Sequence, residues 1–260
     1  MILEKYKIFK YKDLFWQLTL RDIRAKYKQS ILGYSWVILV PLINLTVLSI
    51  VFTFVFKVPT GPVPYPVYLF TALVPWLFMS NAIVAATGSV LANASLVTKI
   101  YLPREILPLS AIASKLVDLF LTALILGFFM LVYGVPFHAT ILFVPFILLT
   151  QLMLITGVSF ILSASNVFYR DIEHAIGVIL GVWMYLTPVV YSPDLIPANL
   201  KIFFYLNPMS GIIDAYRATI LYGVIPIWPA FLYSCLFSIT IFIVGLIYFR
   251  KNSKYFAEVI

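Results

Sequence analysis

The residues of this chain that could do chemistry are few, and most of them are charged groups set close together. Lys115 and Asp118 lie three apart, and so do Asp214 and Arg217, the spacing at which side chains meet on one face of a helix. Arg170, Asp171 and Glu173 crowd a single short stretch. Charges inside an apolar helix cost ~2.5–3.5 kcal/mol each on insertion scales, which makes them functional candidates. For the first pair, mutual neutralisation competes with a transport role; for the second, a local ion pair competes with a gate latch. Redox and metal chemistry lack their residues. Cys235 stands in an apolar run, and His138 and His174 are far apart with no partner cysteines. No G-x-x-x-x-G-K occurs, so the chain has no phosphate-cradling loop and any nucleotide energy has to come from outside it.

These few groups sit in a chain that is 63% hydrophobic and 11% charged, with mean hydropathy +1.03. Soluble domains carry about one quarter charged residues, so lipid must be the solvent. The net charge of +8 does not point to nucleic acid. Its lysines and arginines gather beside apolar segments, where anionic headgroups attract them, and are not interleaved with aromatics on a polar face. The charged, aromatic N-terminal stretch lacks the short core and small-residue site of a cleaved signal.

A membrane-crossing helix needs about 20 apolar residues. Six segments qualify: 31–56, 67–91, 106–133, 141–163, 175–191 and 227–249, the fifth being the shortest. The expected fold is therefore an all-α polytopic membrane protein, one transmembrane domain over 1–260, with both termini on one side. Lys5, Lys7, Lys10, Lys12, Arg21, Arg24, Lys26, Lys28, Lys99, Arg104, Arg170, Arg250, Lys251 and Lys254 fall on that side, against Lys57, Lys201 and Arg217 on the other. The positive-inside rule makes the first side cytoplasmic.

Two pieces are neither span nor short loop. Residues 11–28 place Tyr11, Leu14, Phe15 and Leu18 on one face and basic groups on the other. This is the pattern of a helix lying in the interface with its apolar side in lipid, within a cytoplasmic segment over 1–30. Residues 192–226 are too apolar for a solvated loop and too broken by proline and glycine to span. They predict a pair of short re-entrant helices on the outer side, with Asn207 as N-cap and Pro208 at the first helical position. Gly177 and Gly181 form a G-x-x-x-G pair that Tyr185 continues, a face suited to close helix packing.

The stretch "NASLVTKIYLPREILPLS" (93–110) turns the chain round in the cytoplasm. Asn93 or Ser95 can cap a short helix, and Pro103 stops it. Leu96, Val97 and Ile100 supply an apolar side, and Lys99, Arg104 and Glu105 the charge. An interfacial anchor and a docking knob for a cytosolic partner both fit.

"RDIRAKYKQSILGYSWVILVPLI" (21–43), "LVPWLFMSNAI" (73–83), "LVTKIYLPREILPL" (96–109), "NVFYRDI" (166–172) and "YLNPMSGIIDAYRATIL" (205–221) follow one another in order. Together they resemble the permease subunits of ATP-binding-cassette polysaccharide exporters, above all the Wzm-like permeases that export lipid-linked O-antigen. Capsule and teichoic-acid permeases are near relatives. The resemblance implies a homodimer joined to two copies of a separate ATPase, which holds the ATP and magnesium. It also implies a coupling helix at 93–105, with Lys99, Tyr101, Arg104 and Glu105 facing the ATPase. The "RD" of Arg170 and Asp171 fits either a structural turn or a contact with that subunit.

The implied cargo is a polysaccharide on an undecaprenyl-diphosphate anchor. Arg21, Arg24, Lys26 and Lys28 at the cytoplasmic mouth could gather the diphosphate, or could be plain positive-inside anchors. Tyr34, Trp36 and Asn44 in the first span, with Trp183, Tyr185 and Thr187 in the fifth, are the expected lining for sugar rings. Asp214 and Arg217 are the expected outer gate. A channel, a secondary transporter or an anchoring protein would instead work without an ATPase. Charge reversal at Arg104 or Glu105 is expected to uncouple ATP hydrolysis from export while leaving the spans folded. Export at the wild-type level from both reversals would refute the docking role.

Overall fold

The computed structural model describes residues 11–27, 35–55, 61–197, 201–226 and 228–260, and no strand occurs among them. Helix α1 covers Lys12–Tyr27. Helix α2, Ser35–Ile50, runs past Pro41 and widens into a π turn over Val51–Val55. Helix α3 is Tyr65–Ala92, the short α4 is Ala94–Lys99, and α5 is Ile106–Val132. A 3-10 turn over Ala139–Phe143 leads into α6, Val144–Phe168. Helix α7 is Asp171–Tyr185; after a 3-10 turn at Pro193–Leu195 come α8, Lys201–Tyr205, and α9, Pro208–Ile220. Helix α10 is Trp228–Ser253 and α11 is Phe256–Val259.

Among the described residues, five stretches are long and apolar enough to cross a membrane: Ile38–Val55, Tyr65–Ala92, Ile106–Val132, Ala139–Phe168 and Trp228–Ser253. The expected fifth crossing, 175–191, is different. Its helix begins four residues earlier and ends at Tyr185, giving 15 residues. At 1.5 Å per residue that is about 22 Å, less than the roughly 30 Å of hydrocarbon. Residues 186–192 are as apolar as a helix would be, but they turn instead.

Helix α3 lies at the centre. It packs against α2, α5, α6, α7 and α9, and most of its side chains are buried. The core falls into two clusters. The larger surrounds α3 from Tyr65 to Ala86 and takes in Ile155, Leu180, Ile212 and Phe231. The smaller gathers Leu18, Val90, Val97, Leu102, Ile106, Phe160, Val167, Phe249 and Phe256 at the basic end of the bundle. Tyr11, Leu14 and Phe15 pack on this second cluster. The apolar face of α1 therefore rests on protein, which corrects the expectation that it lies in lipid. Amphipathic periodicity sets which face is buried and says nothing about what buries it. Trp16, on another face of α1, remains exposed.

Helices α6 and α10 make the longest contact in the fold. They approach closely because each offers a glycine: a Cβ on Gly157 would run into the backbone of Ile241 and Phe242, and one on Gly245 into the backbone of Gly157. Small residues at such a crossing are how helices associate where water supplies no driving force. Gly157→Val is expected to force the pair apart and cost about 1–3 kcal/mol, the usual range for overpacking. Thermal unfolding in detergent micelles checks this: a lower midpoint is expected, and an unchanged one would contradict the close packing.

Candidate functional site

At the basic end the chain presents a small projecting element. Asn93 stands at the N-cap of α4, but its side chain does not cap. Its Oδ1 accepts from Arg21 Nη1 at 2.7 Å, and its Nδ2 donates to Ser89 O at 2.8 Å. Arg21 also holds Asp22 at 2.8 Å. So Arg21 ties α1 to the α3–α4 junction, which competes with the role of gathering headgroups. Tyr11 Oη donates to Tyr101 O at 3.3 Å, a second tie between α1 and the loop. Val97 is the buried side chain of α4, whereas Ile100 is turned outward, and Tyr101 is 82% exposed, the highest among the large hydrophobic side chains of the described residues.

Two of the expected docking charges are held within the chain. Glu105 accepts from Arg250 Nε at 2.9 Å, and the Arg104 guanidinium lies 5.7 Å over the Phe256 ring. Partial burial pulls the Arg104 pKa down, and Tyr101 opposes that pull; an arginine remains cationic regardless. Lys99 and Tyr101 are exposed beside them. Arg170 and Asp171 are exposed at the start of α7. The turn between α6 and α7 is held by a neighbouring group. Glu173 N donates to Asn166 Oδ1 at 3.1 Å, and Asn166 Nδ2 donates to Thr87 O at 3.2 Å. The Glu173 carboxylate lies over Gly88, where any Cβ would crowd it. The turn is thereby fixed to α3 about two helical turns before α4 begins.

At the opposite end, the stretch after α7 has carbonyls that no helix completes, and side chains from elsewhere complete them. Arg217 Nη1 donates to Pro188 O at 2.6 Å and Nη2 to Val189 O at 2.7 Å. Tyr65 Oη donates to Val190 O at 2.7 Å, and Tyr191 Oη to Tyr185 O at 3.1 Å. Asn207 Nδ2 donates to Thr187 Oγ1 at 2.8 Å while Asn207 Oδ1 accepts from Met209 N, so the expected N-cap of α9 is in place. Arg217 is 3% exposed, and its guanidinium lies 3.8 Å over the Tyr68 ring. Gln151, fully buried, crosses the bundle below this clamp: Nε2 donates to Pro75 O at 2.7 Å, and Oε1 accepts from Tyr216 Oη at 2.9 Å.

The expected lining residues divide. Trp36 on α2 and Tyr185 on α7 are exposed, as is Asn44, whose Nδ2 turns back to Val40 O at 3.1 Å. Trp183 is half-buried edge-on to Trp76, with centroids 6.0 Å apart. Thr187 is buried and serves the clamp, accepting from Asn207 and donating to Trp183 O. Arg24 is exposed on α1 and Lys26 lies in its last turn; Lys28, Tyr34 and Lys57 fall outside the described residues.

Residues 13–221 match the family described as ABC-2 type transporter. The chain belongs to that family. Among its relatives is an O-antigen export system permease protein RfbA of Klebsiella pneumoniae, 30% identical over 258 residues and covering 98% of each chain. A protein of the same name from Myxococcus xanthus is 29% identical over 217 residues, 82% of each. The polysialic acid transport protein KpsM of Escherichia coli is 23% identical over 243 residues, 91% of this chain and 92% of its own.

For an ABC-2 transporter the clamp is the part that sequence reasoning missed. Arg217 was visible as a charge in an apolar segment, yet its partners lie 28 and 29 residues away. Gln151 carried a fainter signal, a lone amide in the middle of a span. Replacing Arg217 by Ala removes two charge-assisted hydrogen bonds, each worth about 1.5–3 kcal/mol, and bares two carbonyls. A loss of roughly 3–6 kcal/mol is expected, and Arg217→Lys should recover only part of it, because an ammonium cannot form the flat fork. Unfolding midpoints of the three proteins in one detergent check this; equal midpoints would show that the clamp carries no stability.

Proposed function

We propose that this chain is the permease subunit of an ATP-driven exporter that moves a lipid-linked polysaccharide from cytoplasm to periplasm. The cargo is of O-antigen type on an undecaprenyl-diphosphate anchor. The names of the more similar relatives support O-antigen over a capsule or teichoic-acid cargo, and the ABC-2 family speaks against a channel or secondary transporter. The observation that carries the reading is the Ile100–Tyr101 tip. A large aromatic and an aliphatic side chain stand in the open on a loop anchored to the second core cluster. An exposed aromatic on a rigid support is what a binding anchor looks like. The tip is where the ATPase docks, with Lys99, Arg104 and Glu105 beside it and Arg170 and Asp171, at the start of α7, as a further contact.

The working unit is a homodimer with two ATPase subunits, which hold the ATP and magnesium. The outward face of α7 supports a second copy: Gly177, Val178, Gly181, Val182 and Tyr185 are exposed, and among the described residues no other element lies within 4 Å of a Cβ on either glycine. The chain is one permease domain over 1–260 in the bacterial inner membrane, with both termini cytoplasmic. Helix α7 is the fifth of the six crossings, and the turn that follows it, with α9, makes up the depth it lacks. Irregular backbone is tolerated at that depth only where protein satisfies its polar groups, as the clamp does here. Trp36, Asn44 and Tyr185, with Tyr34, offer rings and an amide to the sugar; Trp183 backs them, and Thr187 is withdrawn from the lining. Arg24, Lys26 and Lys28 meet the diphosphate. Asp214 and Arg217 set the outer gate by fixing the turn.

ATP closure of the ATPase favours one position of the tip, and α3 carries that difference across the membrane. A ligand shifts such an equilibrium only by its difference in affinity for the two states. Purified from its own membrane, the chain should bring an ATPase with it, and vesicles holding both should translocate the polymer only with ATP. Tyr101→Ala is expected to lower export about tenfold or more, as loss of a binding anchor would, at an unchanged unfolding midpoint. Glu105→Lys is the less clean probe because it also breaks the Arg250 pair. Translocation by the chain without an ATPase would refute the reading.

A further inference from the structure

Beside the tip, a cavity of about 890 Å³ opens between the 97–105 stretch and the end of α10 with the start of α11. Its charged lining is Lys99, Arg104, Arg250, Lys251, Lys254 and Glu105, five cations to one carboxylate. Glu105 is already engaged by Arg250, while Lys99, Lys251 and Lys254 are exposed. The sequence motifs at 96–109 do not reach the second wall, which lies about 145 residues further on and is joined to the first through the Glu105–Arg250 and Arg104–Phe256 contacts.

We propose that this cavity is a two-walled socket for an acidic segment of the ATPase partner, with Lys251 and Lys254 forming a wall distinct from the coupling helix. The inference rests on the exporter reading above. The occupant follows from the lining. An excess of cations in a concave site focuses potential on an anion. Exposed Ile100 and Tyr101 at the edge suit a peptide that carries apolar as well as acidic side chains. A lipid phosphate would leave most of the volume and this apolar edge unused. The second wall also lies beyond Phe249, the last large apolar residue of α10, where the chain has left the apolar part of its span. Contacts of this kind set the association rate and its salt dependence. The socket therefore gives the ATPase orientation, and the tip gives it grip.

The test uses the full chain co-expressed with its ATPase and compares wild type, Lys251→Glu with Lys254→Glu, the paired Gln variant and the paired Arg variant. ATPase retention on the purified permease is expected to fall about tenfold in the Glu pair and less in the Gln pair, and to be kept by the Arg pair. In wild type it is expected to weaken as salt rises from about 50 to about 500 mM. Equal retention in all four would overturn the socket, as would equal loss in the Arg pair. A Glu pair that keeps its ATPase but, reconstituted in nanodiscs of mixed phosphatidylcholine and phosphatidylglycerol, retains less phosphatidylglycerol than wild type on re-extraction would identify a lipid site instead and overturn the proposal. A wild-type chain that retains no ATPase at all would overturn the exporter reading itself, a result distinct from the others.

Discussion

A guanidinium taken wholly out of water has to find acceptors, and Arg217 finds them in the carbonyls of Pro188 and Val189 and in the ring of Tyr68. The same contacts solve the opposite problem for the chain after α7. A helix that stops at 15 residues leaves its last carbonyls bare, and in hydrocarbon each bare carbonyl costs several kcal/mol. Buried charge and interrupted helix therefore depend on each other. Removing either would leave the other unsatisfied, as with any buried polar group deprived of its partner. Tyr65, Tyr191 and Asn207 complete the arrangement.

The clamp and the tip stand at the two ends of α3. Its first residue is Tyr65, which holds Val190. Past its C-terminus Asn93 is held by Arg21, and α4 follows. One buried helix of 28 residues thus joins the projecting tip to the clamp. A six-residue helix has no stability of its own; α4 keeps its shape because Val97 enters the second core cluster and α1 is tied across it. Close-packed interiors transmit displacement rather than absorb it. Tyr101 and Arg217 are therefore connected through one packed helix, and the Asn166–Glu173 turn joins that helix to α7.

Much of this was legible in the sequence. Hydropathy located α3 and α5 to within two residues at each end, and the spacing of Tyr11, Leu14, Phe15 and Leu18 found α1. Asn207 and Pro208 marked the start of α9 because capping is a local matter. The end of α7 was misplaced because hydropathy runs on through "LTPVVY" at 186–191; Pro188 marks the break locally, whereas the Arg217 bonds that hold the turn are not visible in sequence. Nor could periodicity tell that the apolar face of α1 rests on Val90, Ile106 and Phe249 rather than on lipid. Among the site residues, Tyr101 was read for its motif and stands exposed. Thr187 was read as lining and is buried. Threonine at mid-span has the same appearance in sequence whether it faces a channel or bonds to a neighbouring helix.

The central claim is that force enters this protein at the 93–105 loop from the cytoplasmic side. Thr98→Cys, on the exposed side of the same loop, in a chain with Cys235→Ser, tests it by labelling with a membrane-impermeant maleimide in oriented vesicles. Labelling from the cytoplasmic face alone is predicted, with the rate falling sharply once the ATPase is bound. Labelling from the periplasmic face, or a rate that the ATPase leaves unchanged, would contradict it.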